Sequence, residues 1–233
     1  LSFMPLPSIF KTIVRWMSAY LMGIMVYLLL FFLIADLLIF LASLVKIIPK
    51  PIPQHVRFYA GLAVVLVTVG VVSYGLYNAR QIQHVSYVVQ IKKSMPEDVN
   101  LVLISDLHLG AVGSEERLEG IVKRINQLKP DLVCIAGDIF NDDFYAIRNP
   151  ERVMNLFRQI QAKYGVYASL GNHDSGKTFH QMIDLLKRSN IQLLNDEYVI
   201  IDQRLVLFGR VDPSPIGGFD GLERQEISES LST

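Results

Sequence analysis

Hydrophobic residues follow two regimes along this chain. Residues 17–45 are uncharged apart from Asp36, and residues 59–77 carry no charge at all. Each run reaches the roughly 20 residues that a helix needs to cross a bilayer. Between them Pro49, Pro51 and Pro53 cannot continue a helix, so the pattern predicts an antiparallel hairpin of transmembrane helices over about 17–45 and 58–78. These spans read as permanent anchors, since the apolar core of a cleaved leader is typically about 7–15 residues. In the second span Gly61, Thr68 and Gly75 recur every seven residues, as do Ala63 and Gly70, a spacing that lets helices approach closely. Asp36 is expected at the bilayer interface or against a neighbouring helix, although an intramembrane carboxylate can also mark a proton or substrate path.

From residue 83 onward short apolar runs alternate with amphipathic stretches. Residues 83–91 alternate and are rich in β-branched side chains, which predicts a strand, and a turn is expected over 94–100. Residues 101–104 form a continuous apolar run, expected to be a strand covered on both faces. Ser114, Glu115 and Glu116 mark a helix start, and Leu118, Ile121, Val122, Ile125 and Leu128 keep helical spacing until Pro130. A second buried strand is expected at 132–136, a helix at 150–160, a third strand at 166–170 and a third helix at 177–189. Residues 198–201 and 205–208 read as a hairpin turned by Asp202 and Gln203. The alternation predicts an α/β sheet, whose chemistry gathers at the carboxyl ends of its strands.

Composition supports the same division. The chain is 51% hydrophobic and its net charge is zero, but residues 1–79 hold five Lys/Arg against one acidic residue, whereas residues 80–233 hold 17 Lys/Arg against 21 Asp/Glu. A wholly soluble protein is excluded. The acidic half has no basic patch with interleaved aromatics, so no nucleic-acid partner is expected; the expected partners are the bilayer and a substrate. Cys134, the single cysteine, lies in an apolar run and is expected to be a buried strand residue. In the loop Lys46, Lys50 and Arg57 outweigh Lys11, Arg15 and Arg80 in density, which places the loop in the cytoplasm and residues 80 onward outside it; counting Lys92 and Lys93 reverses the tally.

The polar residues fall where an α/β sheet would use them. The run 101–104 leads into Asp106 and His108, the run 132–136 into Gly137, Asp138, Asn141 and Asp142, and the run 166–170 into Gly171, Asn172, His173 and Asp174. Asp106 and His108 are two apart, so on an extended chain both point to one side and can grip one ion. Asp138 can bridge two ions through its two oxygens, and Asn172 offers a neutral carbonyl oxygen. Such mixed donors suit Mn²⁺, Fe²⁺ or Zn²⁺ better than Ca²⁺. Gly137 and Gly171 permit tight turns that aim the following residues inward.

These three segments, in this order and about thirty residues apart, resemble the calcineurin-like metallophosphoesterases, over residues 101 to about 212, in the pattern of their membrane-anchored bacterial members. The resemblance implies an α/β fold of two packed sheets flanked by helices, preceded by the hairpin at 1–79 and filling 80–233 with the N-terminal portion of the catalytic domain. It implies two divalent metal ions, the first on Asp106 and His108, the second on Asn172, with Asp138 bridging. His173 would face the substrate as a catalytic group with Asp174 orienting its ring. Arg210 and Asp212 would lie near the substrate or in a surface loop, and Asn141 and Asp142 beside the metal ligands or on the surface.

The implied activity is metal-dependent hydrolysis of phosphate esters by an activated water. The runner-up is a pyrophosphohydrolase acting on a nucleotide-linked lipid, and the third reading a non-catalytic membrane scaffold that retains the fold. The family completes both metals with histidines in its second half, whereas the last histidine here is His180 and the chain begins with Leu1. The sequence is therefore expected to be part of a longer protein and inactive alone.

Overall fold

The computed structural model describes residues 8–79, 81–91, 97–110 and 113–226. Arg80, Lys92, Lys93 and Ser94, which bear on the orientation tally and the expected turn, lie outside them. The chain divides into two compact units, residues 1–83 and 84–233.

The first unit is a pair of helices, α1 (Ser8–Leu44) and α2 (Gln54–Ala79). Both contain stretches long and apolar enough to cross a membrane, Tyr20–Leu44 and Gln54–Ala79. Apart from the stripe that each turns to the other, their apolar side chains face outward, with Leu33 61% and Leu66 63% exposed. A helix apolar on every side is at home in lipid or a large core, and this unit offers no core to receive it. Contact between the two helices runs through Gly61, which faces Phe32, and through the buried Val64 and Thr68. Thr68 satisfies its hydroxyl on the Val64 carbonyl at 2.8 Å. Gly70 and Gly75 have open space where a Cβ would stand, so the small-residue spacing marks the interface at Gly61 and Thr68 and does not continue past them.

The second unit is built on a parallel sheet in the order β1 (Leu101–Ile104), β2 (Leu132–Ala136), β3 (Val166–Ser169), β4 (Ile191–Leu193). The connections carry α3 (Ser114–Gln127), α4 (Pro150–Phe157) and α5 (Phe179–Arg188). An antiparallel hairpin follows, β5 (Glu197–Ile201) and β6 (Leu205–Gly209), with Asp202 and Gln203 at positive φ in its turn. Val133, Ile135 and Ala168 share a buried core with Leu118, Val122 and Ile125 of α3 and Val153 and Phe157 of α4.

Three expectations are corrected. Residues 83–91 form no strand and their side chains are exposed, Val88 at 92%; a period of two supplies a surface for pairing, and among the described residues no strand pairs with it. The strand β1 is covered on one face only, since Val102 and Ile104 pack on the core while Leu101 and Leu103 are exposed. The helix start expected at Ser114 is where α3 begins, and the Ser114 hydroxyl ties it to Gly110, accepting from the amide at 2.7 Å and donating to the carbonyl at 2.6 Å. The helix expected over 150–160 ends at Phe157. Pro150 at its first turn and the Asn149 side chain, which accepts from the Arg152 amide at 3.0 Å, fix its start.

Candidate metal centre

The loop after β1 alternates between core and site. Leu107 and Leu109 are buried, and the residues between and before them, Asp106 and His108, stay accessible. After β2, Ile139 and Phe140 are fully buried and Asp138 is half-buried. The two loops continue the parallel ladder beyond the strands. Asp106 N donates to Gly137 O at 3.3 Å, His108 N to Asp138 O at 2.9 Å, Leu109 N to Ile139 O at 2.8 Å and Asn141 N to Leu109 O at 3.1 Å. Asp106, His108, Asp138 and Asp142 all adopt positive φ, between 43° and 57°. Non-glycine residues held in this region cost of order 1–3 kcal/mol each and gather at functional sites.

The third loop closes on the first two through glycine. A Cβ on Gly171 would stand 2.2 Å from Asp138 Oδ1 and 2.3 Å from its backbone nitrogen, and a Cβ on Gly137 would stand 2.8 Å from Gly171 Cα. Only at a residue without a side chain can the Asp138 carboxylate approach this closely. The His173 amide then donates to Asp138 Oδ1 at 3.0 Å.

The candidate ligands meet. His108 Nε2 lies 3.8 Å from Asp106 Oδ1 and 3.9 Å from Asp138 Oδ2. Those separations are long for hydrogen bonds, but metal bonds of about 2.0–2.2 Å hold two donors of one ion within roughly 4.4 Å of each other. The Asn172 amide stands 3.1 and 3.2 Å from the two Asp138 oxygens. With its oxygen toward them, three acceptors crowd together and need a cation; with its nitrogen toward them, the amide donates to both. His108, Asp138 and His173 bring one donor atom each within 4.8 Å of one another, and the two imidazoles meet edge to face at 4.8 Å. Carboxylate, imidazole and amide donors in one accessible cluster fit a divalent transition metal.

Two assignments change. Asp174 does not touch the His173 ring. Its buried carboxylate accepts from Phe140 N at 2.7 Å and Gly171 N at 2.9 Å, and it ties the second loop to the third. Burial pushes this carboxyl up to about 6, against the pull of those amides. The ring is held by Asp142, whose Oδ1 lies 2.7 Å from His173 Nδ1. Arg210 is likewise occupied elsewhere. Its Nε donates to the buried Asp196 at 3.1 Å and its Nη2 to the Gln225 carbonyl at 2.7 Å, while the Asp212 carboxylate accepts from Ser214 N. Asn141 does stand beside the ligand loop, its side chain against Gly110.

Sequence reasoning missed Arg117. From the first turn of α3 its guanidinium donates to the carbonyls of Leu107 and His108, bracing the ligand loop, and burial lowers its pKa. A cation in a first turn opposes the helix dipole, and that misplacement was its signal.

The sequence pattern of the calcineurin-like phosphoesterases matches residues 99–227, and the chain belongs to that family. A metallophosphoesterase of Campylobacter jejuni is 27% identical over 76% of this chain and 45% of its own length. A transmembrane protein with metallophosphoesterase domain from Danio rerio is 35% identical over 47% of this chain and 25% of its own. The UDP-2,3-diacylglucosamine pyrophosphatase of Chlamydia trachomatis is 28% identical over 48% of this chain and 35% of its own. The chain thus spans less than half the length of each of these relatives.

Two substitutions test the loop closure. Gly171→Ala should cost about 3 kcal/mol or more, because the methyl displaces the Asp138 carboxylate and backbone. Asp174→Ala should cost about 2–5 kcal/mol by leaving two buried amides unpaired. Thermal unfolding in detergent measures both; an Asp174→Ala chain as stable as wild type would remove the carboxylate's structural role.

Proposed function

We propose that the protein is a membrane-anchored, metal-dependent phosphoesterase. The observation that carries this reading is the meeting of Asp106, His108, Asp138 and Asn172 at the carboxyl ends of three adjacent parallel strands, beside a histidine held by a carboxylate. Asp106 and His108 would hold one divalent ion, Asn172 a second, and Asp138 both; Mn, Fe and Zn suit these donors. Bound there, the pair supplies an acidified water and neutralises phosphoryl charge.

The protein's own groups do the rest. Asp142 fixes the His173 ring through Nδ1, so Nε2 is the atom left to hand a proton to the departing oxygen of the ester. Arg117 keeps the Leu107 and His108 carbonyls in place, and with them the His108 ring. Asn141, exposed beside Gly110, is placed to meet substrate. A second reading, a pyrophosphohydrolase on a nucleotide-linked lipid, draws support from the similarity to the Chlamydia pyrophosphatase and from the two apolar helices.

The proposed membrane topology is a two-span anchor with the loop at 45–53 in the cytoplasm and residues 84 onward outside, from the loop cations Lys46 and Lys50 with Arg57 beside them. A reporter fused after Gln83 should be active outside the cytoplasm; activity inside would reverse the orientation.

In the protein carrying this chain, Asp138→Ala should abolish turnover and weaken both metal sites, while Asp106→Ala should weaken chiefly one. Metal analysis alongside hydrolysis of phosphomonoester, phosphodiester and pyrophosphate substrates checks this. Near-normal hydrolysis by Asp138→Ala with metals bound overturns the two-metal reading, and bound metal without turnover in the wild type favours a scaffold.

His173→Ala should lower turnover by about 10² to 10⁴ with metal content kept, and by less on nitrophenyl esters, whose leaving group needs no proton. Asp142→Asn should lower turnover less than His173→Ala does. Metal loss in His173→Ala equal to that in Asn172→Ala would make His173 a ligand.

A further inference from the structure

The membrane unit contains a charged groove that the phosphoesterase chemistry does not use. Its volume is about 610 Å³, and Asp36, Ser43, Lys50 and Arg57 line it together with the rings of Phe32 and Phe40. Among the described residues, no hydrogen bond or ion pair holds the side chains of Asp36, Lys50 or Arg57. Three charged groups thus open onto one cleft without protein partners.

The register of the hairpin gives their depth. Gly61 of α2 faces the Phe32 ring of α1, where a Cβ would stand 4.0 Å from Cε1. One turn back along α2 from Gly61 is Arg57, and one turn forward along antiparallel α1 from Phe32 is Asp36. The two charges therefore stand at about the same height on opposite walls of the groove. The uncharged stretch of α2 begins immediately after Arg57, so Arg57 marks the edge of the hydrocarbon. By the same register Asp36 lies at that edge, level with lipid head groups, despite sitting inside an apolar run.

We propose that this groove binds the head group of a phospholipid that carries both a phosphate and a primary ammonium, as in phosphatidylethanolamine. The phosphate lies on Arg57 and Lys50 and the ammonium on Asp36, with the acyl chains leaving past Phe32. The proposal rests on the reading that the hairpin is embedded in a membrane. Both signs of charge are needed to complement the lining. A head group with phosphate alone leaves Asp36 facing like charge, and a quaternary ammonium has no N–H to donate to the carboxylate. Charges at the hydrocarbon edge are poorly solvated, which strengthens paired contacts and penalises unpaired ones.

The test uses the purified chain in nanodiscs of phosphatidylethanolamine, phosphatidylcholine or phosphatidylglycerol with identical acyl chains, and native mass spectrometry of the lipid retained after extraction. Wild type should retain one phosphatidylethanolamine, about tenfold in excess over either other lipid, the ratio expected for one charge-assisted contact. Arg57→Gln and Lys50→Gln should each lower that retention about tenfold. Asp36→Asn should erase the preference for phosphatidylethanolamine over phosphatidylglycerol. Equal retention of all three lipids by wild type, or unchanged retention in the three variants, overturns the proposal. Displacement of the lipid by millimolar phosphoethanolamine or inorganic phosphate overturns the lipid as ligand in favour of a soluble phosphate compound. Carbonate extraction separates the premise: a chain that stays in the pellet keeps the membrane reading whatever the lipid result, and recovery in the supernatant overturns both.

Discussion

Everything at the candidate centre depends on how close the Asp138 carboxylate comes to the backbone of Gly171. Oδ1 occupies the place where any other residue would have its Cβ, 2.2 Å away. This contact locks the loop after β2 to the loop after β3, and the loop after β1 is already laced to the second by four backbone hydrogen bonds. Asp138 is therefore the shared wall of the candidate centre. A carboxylate fixed by packing presents its two oxygens in set directions.

That arrangement is unfavourable locally and is supported from below. Four residues around the centre sit at positive φ without being glycine, a cost of order 1–3 kcal/mol each. Leu107, Leu109, Ile139 and Phe140 alternate with them or follow them, and all four are buried. Each contributes about 1.5–3 kcal/mol by leaving water, which offsets the strain. The apolar residues in these loops anchor the backbone conformation that aims the polar ones, so the loops behave as extensions of the core.

Much of this was legible in the sequence, because strands ending in Asp, His and Asn announce both the fold class and the donor set. The failures have physical causes. Asp174 follows His173 directly, and adjacency made it the natural partner of the ring; but Asp174 turns into the core between two amides, and Asp142, thirty-one residues away, makes the contact. Arg210 follows a strand, a place that suggests a substrate contact, whereas buried Asp196 claims it. The strand β4 is three residues long and too short to show a period. Residues 83–91 have the period of a strand, but periodicity describes a face and cannot supply the partner that a strand requires. The continuous run at β1 was legible as a strand, but not that one of its faces would be open.

The pair Asp142 and His173 positions itself. The Asp142 amide donates to the His173 carbonyl at 3.3 Å, and the Asp142 carboxylate takes the ring nitrogen at 2.7 Å. Backbone and side chain are thus joined between the same two residues, and the Thr178 hydroxyl donates to the Asp142 carbonyl from the other side. A ring tied in this way cannot turn about its Cβ–Cγ bond without breaking the Nδ1 contact. The His173 amide is meanwhile bound to Asp138, so the ring is fixed relative to that carboxylate as well as to Asp142. Whatever meets Nε2 meets it at one point in space, set by the same residue that forms the shared wall of the candidate centre. Coupling of that kind holds an imidazole nitrogen and a carboxylate in one fixed mutual geometry, so neither group has to search for the other when a third partner enters the site.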